Sequence, residues 1–194
     1  MSSFYAYLGR MKYIERWSLM RNTTKENILE HSAQVAHLAH GIATVANKYF
    51  GMDLSADKIT TLALFHETSE VITGDLPTPI KYHNNRITEA YKSIETLAND
   101  KLVSTLPTKM QPVYREITGS NSDSVEKKIV KYADRLAAYI KCVEELSSGN
   151  SEFKNAESSV KAKLDKDSEN FPPLKYFIDN FVESFSKTLD DLTL

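Results

Sequence analysis

The chain is 194 residues long, 41% hydrophobic and 26% charged, and its 24 Lys and Arg against 26 Asp and Glu leave a net charge of −2. That balance excludes a broad basic field for a nucleic-acid backbone, and the apolar fraction excludes intrinsic disorder. Only six glycines and six prolines punctuate the chain, too few for a turn-rich sandwich or barrel.

Residues 3–14 read as a short amphipathic stretch. Thr23 and Glu26 have capping-box spacing, and the segment after them is predicted to run helically to about Tyr49, before Gly51. Ser55 is placed to cap the next helix, predicted to continue to about Ile72 and stop at Gly74. Pro77 and Pro79 then predict an extended, stiff loop with no helix. A long helix is expected over about 84–106, ending before Pro107, and a shorter one over 110–117. Asp123 with Glu126 predicts the start of a helix running to Gly149, followed by helices at about 152–168 and 173–191. With no repeat and no linker long enough to divide it, residues 1–194 read as one all-α domain. No run of about 18 apolar residues spans a membrane, and the N-terminus lacks the apolar core of a signal peptide. The single cysteine, Cys142, cannot form an internal disulfide, which suits a reducing cytoplasm.

Helical phase sorts the histidines. His31 shares a stripe with Val35, Leu38, Ile42 and Tyr49, while His37 and His40 fall on the polar side. His66 shares a stripe with Ile59, Leu62 and Ala63, with Glu70 one turn on and Glu67 at the stripe's edge. A carboxylate on a core-facing stripe must be paired, protonated or bound to a metal. On phase alone an inward histidine is more often a hydrogen-bonded core residue than a ligand; two of them beside inward carboxylates read equally as either. Imidazole with carboxylate oxygen suits Mn, Co, Fe or Mg better than a closed structural zinc site. Asp134 lies off the large-residue stripe of Ile129, Leu136, Ile140 and Val143, beside Lys131 and Arg135, and reads from periodicity as a solvated ion pair.

Glu30-His31-Ser32, His66-Glu67-Thr68-Ser69-Glu70-Val71, Thr73-Gly74-Asp75-Leu76-Pro77-Thr78-Pro79 and Lys131-Tyr132-Ala133-Asp134 together resemble the HD-domain metal-dependent phosphohydrolases. With Arg16-Trp17, Leu19-Met20-Arg21-Asn22 and Lys141-Cys142-Val143-Glu144-Glu145-Leu146, the chain most resembles the bacterial 5′-deoxynucleotidases of that superfamily, from Phe4 to the C-terminal helix. The resemblance implies an HD-type helical bundle and a divalent ion, Co, Mn or similar, held by His31, His66, Glu67 and Asp134. It thereby overturns the surface reading of Asp134. The family's namesake His-Asp pair is His66-Glu67 here, one methylene longer, a change to which the strict geometry of Mg is the most sensitive.

The resemblance also implies roles for the residues around the ion. Glu70 transfers a proton or orients water, the alternative being a carboxylate that merely orients His66 or a water. Arg16, otherwise a surface arginine, orients the phosphate and acts with Glu70 in catalysis. Trp17, otherwise a core plug, packs on the sugar and leaves no room for a 2′-hydroxyl. Asp75 accepts from the 3′-hydroxyl, and Leu76, Pro77 and Thr78 complete the wall, with His31, Glu67 and Asp134 also facing the substrate. Lys81 and His83 read as solvated. The implied activity is hydrolysis of deoxyribonucleoside 5′-monophosphates, with no nucleic-acid or membrane partner. The alternatives are another HD-type nucleotide phosphohydrolase, or a nucleotide-binding regulator whose turnover Glu67 has reduced. Tyr91, Leu97, Phe177, Phe181 and Phe185 offer apolar faces beyond a minimal core, and the resembling enzymes are dimers, so a homodimer is expected.

Overall fold

The computed structural model describes residues 1–81, 83–119 and 124–192, and among them there are helices and no strand. The all-α expectation is met. The helices are α1 (Phe4–Leu8), α2 (Ile28–Phe50), α3 (Ala56–Leu64), α4 (Glu70–Thr73), α5 (Thr78–Lys81), α6 (Asn85–Ser104), α7 (Gln111–Thr118), α8 (Val125–Ser147), α9 (Lys154–Asn170) and α10 (Pro172–Phe177). No described helix is long and apolar enough to cross a membrane.

The chain forms two compact units: Met1–Arg21, Lys25–Ala33 and Leu64–Asp123 in the first, Asn22–Thr24, Gln34–Ala63 and Ser124–Leu194 in the second. The core of the first is Phe4, Leu102, Val103 and Leu106, with Phe65, Met110 and Tyr114 packed on it. In the second, Val35, Ile42, Ile59, Ile129, Leu136, Ile140, Leu164 and Leu174 are fully buried. Val35 and Ile42 lie seven positions apart on α2, and Ile129, Leu136 and Ile140 seven and four apart on α8, so each of these two helices turns one apolar stripe inward.

Several local expectations need correction. Thr23 and Glu26 form no capping box. Asn27 caps α2 instead, its Oδ1 accepting from the amides of Leu29 and Glu30. Thr23 gives its amide and hydroxyl to Glu145. Ser55 does cap α3, accepting from Lys58 N, and Gly74 does end α4, at φ 70°, where a Cβ would be strained. Between them, however, the predicted continuous helix breaks: residues 65–69 are turns closed by Thr68 N on Phe65 O and Glu70 N on Glu67 O. Pro79 lies inside α5 rather than in an extended loop. It occupies the first turn, where its missing N–H costs nothing. The predicted start at Asp123 lies outside the described residues; Ser124 caps α8, accepting from Lys127 N. After α10 the chain leaves the α-helical repeat for a π turn at Ile178–Val182 and short 3₁₀ turns, so the helix expected to 191 ends early.

Two aromatic placements also change. Tyr49 is 65% exposed, not on the inward stripe, and stacks on Tyr176 with ring centroids 4.7 Å apart. Tyr91 is buried and offers no free face, whereas Leu97 and Phe181 are exposed.

Candidate functional site

The site grows from a short pairing of two extended segments in the first unit. Glu15 and Asn27 form an isolated antiparallel bridge, flanked by Arg16 N on Glu26 O (2.9 Å) and Ile28 N on Ile14 O (3.0 Å). In that register Arg16 faces Glu26 directly. Trp17 follows at φ 58°, the one non-glycine residue among those described in the left-handed region, so the chain turns sharply after Arg16. The indole Nε1 thereby reaches Glu26 Oε2 at 3.2 Å, and Arg16 Nη1 reaches the same oxygen at 2.8 Å. Arg16 Nη1 is also 2.8 Å from His31 Nδ1, and Glu26 Oε1 lies 3.6 Å from that nitrogen. Burial alone would raise the Glu26 pKa. The close approach of His31 and the charge of Arg16 outweigh it and hold the carboxyl below its usual range.

The turns at 65–69 supply the opposite wall. They put His66 and Glu67 ahead of α4, with His66 Nε2 3.4 Å from Glu67 Oε1 and the His31 and His66 rings 5.3 Å apart. His31, fully buried, His66 and Glu67, both half-buried, each offer a donor atom, and these atoms lie within 4.8 Å of one another. Donors sharing one ion at roughly 2.0–2.2 Å are at most about 4.4 Å apart, so two imidazoles and a carboxylate fit a divalent cation after a slight contraction.

Glu70 opens α4 and is 4% exposed. Burial, the neighbouring charges of Glu67 and Asp75 and a hydrogen bond with Glu67 push its pKa up to about 10, against a small opposing effect of Lys81. Asp75 is raised too, chiefly by burial and despite the charge of Arg16. Three acids therefore face one another with Arg16 and Lys81 as the nearby cations. That crowding is the electrostatic condition that a bound cation would relieve.

Within the first unit the fold thus brings together Arg16, Trp17, His31, His66, Glu67, Glu70 and Asp75. Leu76 and Pro77 beside them are half-buried and Thr78 is exposed. Asp134 belongs to the second unit, on α8, and is half-buried rather than solvated; its neighbour Arg135 pairs with Asp167. His37, His40 and His83 are exposed, as their phase and position predict. Lys81 is not solvated: it is half-buried, bonds Glu95 at 2.7 Å and lies 4.8 Å from the Tyr91 ring centre. Sequence reasoning missed Glu26, which its spacing from Thr23 disguised as a capping residue. It also missed Glu145, which is 1% exposed and accepts from Thr23, Thr24, Asn150 and Lys141. A signal for the first was available: Glu26 lies five residues ahead of His31, beside Asn27, which caps the helix that carries it.

Comparison with known proteins agrees with this geometry. A family model described as YfbR-like 5′-deoxynucleotidase matches residues 3–185. Proteins named 5′-deoxynucleotidase from Yersinia pestis (strain Pestoides F) and Yersinia pseudotuberculosis serotype O:3 (strain YPIII) are 49% identical over 197 residues, covering 100% of this chain and 98% of theirs. Among solved structures, an HD-domain phosphohydrolase from Listeria innocua superposes with a TM-score of 0.83 at 22% identity, covering 94% of this chain and 88% of that one. The HD phosphohydrolase of cyanophage S-2L, solved with dA and one catalytic Zn2+ ion, gives a TM-score of 0.69 at 20% identity, covering 95% and 98%. The fold is that of the HD-domain phosphohydrolases, and the chain belongs to the YfbR-like 5′-deoxynucleotidase family.

Proposed function

We propose that this protein is a metal-dependent 5′-deoxynucleotidase that hydrolyses deoxyribonucleoside 5′-monophosphates to deoxynucleoside and phosphate. The observation that carries the reading is the convergence in one unit of two imidazoles, the Glu67 carboxylate, the Arg16 guanidinium and a buried glutamate, Glu70. Full-length relatives named for that activity support it. In this reading the ligands are His31, His66, Glu67 and Asp134, the last assigned by its Lys131-Tyr132-Ala133-Asp134 motif. The whole chain acts as one HD-type domain.

When bound, a divalent ion supplies positive charge to the phosphoryl oxygens and lowers the pKa of a nearby water. Every other part is supplied by side chains. Arg16 offers a planar cation to the phosphate and orients it. Glu70 touches Glu67 and is placed to hold or pass a proton at the reacting centre. Trp17 packs on the sugar and crowds out a 2′-hydroxyl. Asp75 accepts from the 3′-hydroxyl, with Leu76, Pro77 and Thr78 closing the wall. Co or Mn fits the set better than Mg, because the longer Glu67 shifts its oxygens from where aspartate would put them. The protein works in the cytoplasm as a homodimer, a reading supported by the exposed Leu97 and Phe181 side chains.

The test is phosphate release by the purified protein from paired dNMP and NMP substrates with Co, Mn, Mg and Zn. Release from the deoxy series alone supports the reading. Nucleotide binding with no release under any ion would mark a binding regulator and refute the enzyme.

A further inference from the structure

Glu26 touches three of the residues assigned above, yet it has no role of its own in that assignment. Its Oε2 accepts from Arg16 Nη1 at 2.8 Å and from Trp17 Nε1 at 3.2 Å, and its Oε1 stands 3.6 Å from His31 Nδ1. The carboxylate is 12% exposed, so water screens these contacts little. We propose that Glu26 is a positioning residue that sets the cation ligand, the phosphate-orienting arginine and the sugar-facing indole from one carboxylate. The proposal deepens the reading of the site given above and rests on it for the roles of the three partners.

Hydrogen-bond chemistry makes the carboxylate specific. Arg16 is always a donor, so the His31 Nδ1 facing it acts as an acceptor while that contact holds. A histidine that gives Nε2 to a cation carries its proton on Nδ1, and that proton needs an acceptor. Glu26 Oε1 stands 3.6 Å from that nitrogen, a slight closure from hydrogen-bond distance, whereas Arg16 cannot accept. The same anion keeps the Arg16 guanidinium from withdrawing toward water, and it anchors an indole on a backbone held in the left-handed region. The antiparallel register holds Glu26 opposite Arg16 through main-chain bonds, so its side chain alone can be changed with the frame in place.

The test compares wild type with Glu26→Gln and Glu26→Asp in the full chain. Three quantities are read: Mn2+ affinity of the chelator-treated protein by calorimetry, the emission of Trp17, which is the chain's one tryptophan, and KM and kcat for a dNMP. Glu26→Gln should weaken Mn2+ binding about 10- to 100-fold, shift the Trp17 emission and raise KM, with Glu26→Asp partly restoring all three. If Glu26→Gln does not fold, the same readings on Glu26→Asp decide, since its shorter reach should weaken each in part. Unchanged Mn2+ affinity and Trp17 emission, with only the melting temperature lowered, would reduce Glu26 to a structural role and overturn the proposal. A wild type that releases no phosphate would defeat the functional reading instead, while Mn2+ affinity and Trp17 emission would still decide for or against Glu26.

Discussion

Glu70 and Glu145 are both buried glutamates, 4% and 1% exposed, in different units, and their surroundings could hardly differ more. Around Glu145 every feature favours the anion. It accepts from the amides of Thr23 and Thr24, the Thr23 hydroxyl, Asn150 and the buried Lys141, whose Nζ also bonds Thr24 O. These bonds outweigh the cost of burial and hold its pKa well below the usual carboxylate range. Around Glu70 burial is joined by two further acids, and the pKa rises. Burial therefore does not by itself point to a functional site; a buried acid left among other acids is the better candidate.

The largest expected effect is on turnover. Glu70→Gln should lower kcat about 10²- to 10⁴-fold while leaving Mn2+ affinity within a few-fold, read by phosphate release beside calorimetry. Loss of Mn2+ binding instead would make Glu70 a ligand. Glu145→Ala should cost about 3–5 kcal/mol in urea unfolding, because it strands Lys141 in the interior. The pH dependence sharpens the contrast. The folded pKa of Glu145 lies below its unfolded value of 4.5, so its stabilisation is present above about pH 4.5 and is lost as pH falls below that. In the metal-free protein Glu70 has the opposite sign: its contribution is fully present below pH 4.5 and is lost as pH rises toward 10. Urea titrations of wild type and Glu145→Ala across pH 3–6 should show the variant with the flatter acid limb.

Trp17→Ala should admit ribonucleotides, reducing the dNMP to NMP ratio of kcat/KM by about 10- to 100-fold; an unchanged ratio would remove the indole from discrimination. The smallest change belongs to Glu67→Asp, which keeps the charge and restores the family's His-Asp pair. It should preserve or raise activity, and a collapse would show that the neighbouring residues have adapted to glutamate.

The comparison also explains what was legible in the sequence. Helix phase put His31 inside and His37 and His40 outside, because α2 is regular and its stripe is continuous. The four-residue spacing of His66 and Glu70 put both on one corner, but for the wrong reason. Two successive tight turns bring them together as well as one helical turn would, and spacing cannot tell those apart. Glu26 is hidden because Arg16 and Trp17 are 10 and 9 positions away, and Glu145 because Thr23 and Thr24 are 122 and 121 away, on segments that only the fold joins. Asp134 was assigned by resemblance alone; its phase on α8 points away from the large core residues.

The most direct test of the account is phosphate release from a dNMP by chelator-treated protein, before and after Co2+ or Mn2+ is returned. The account predicts no release without the ion and restored release with it. Full release in the presence of chelator, or none with either ion, would contradict it.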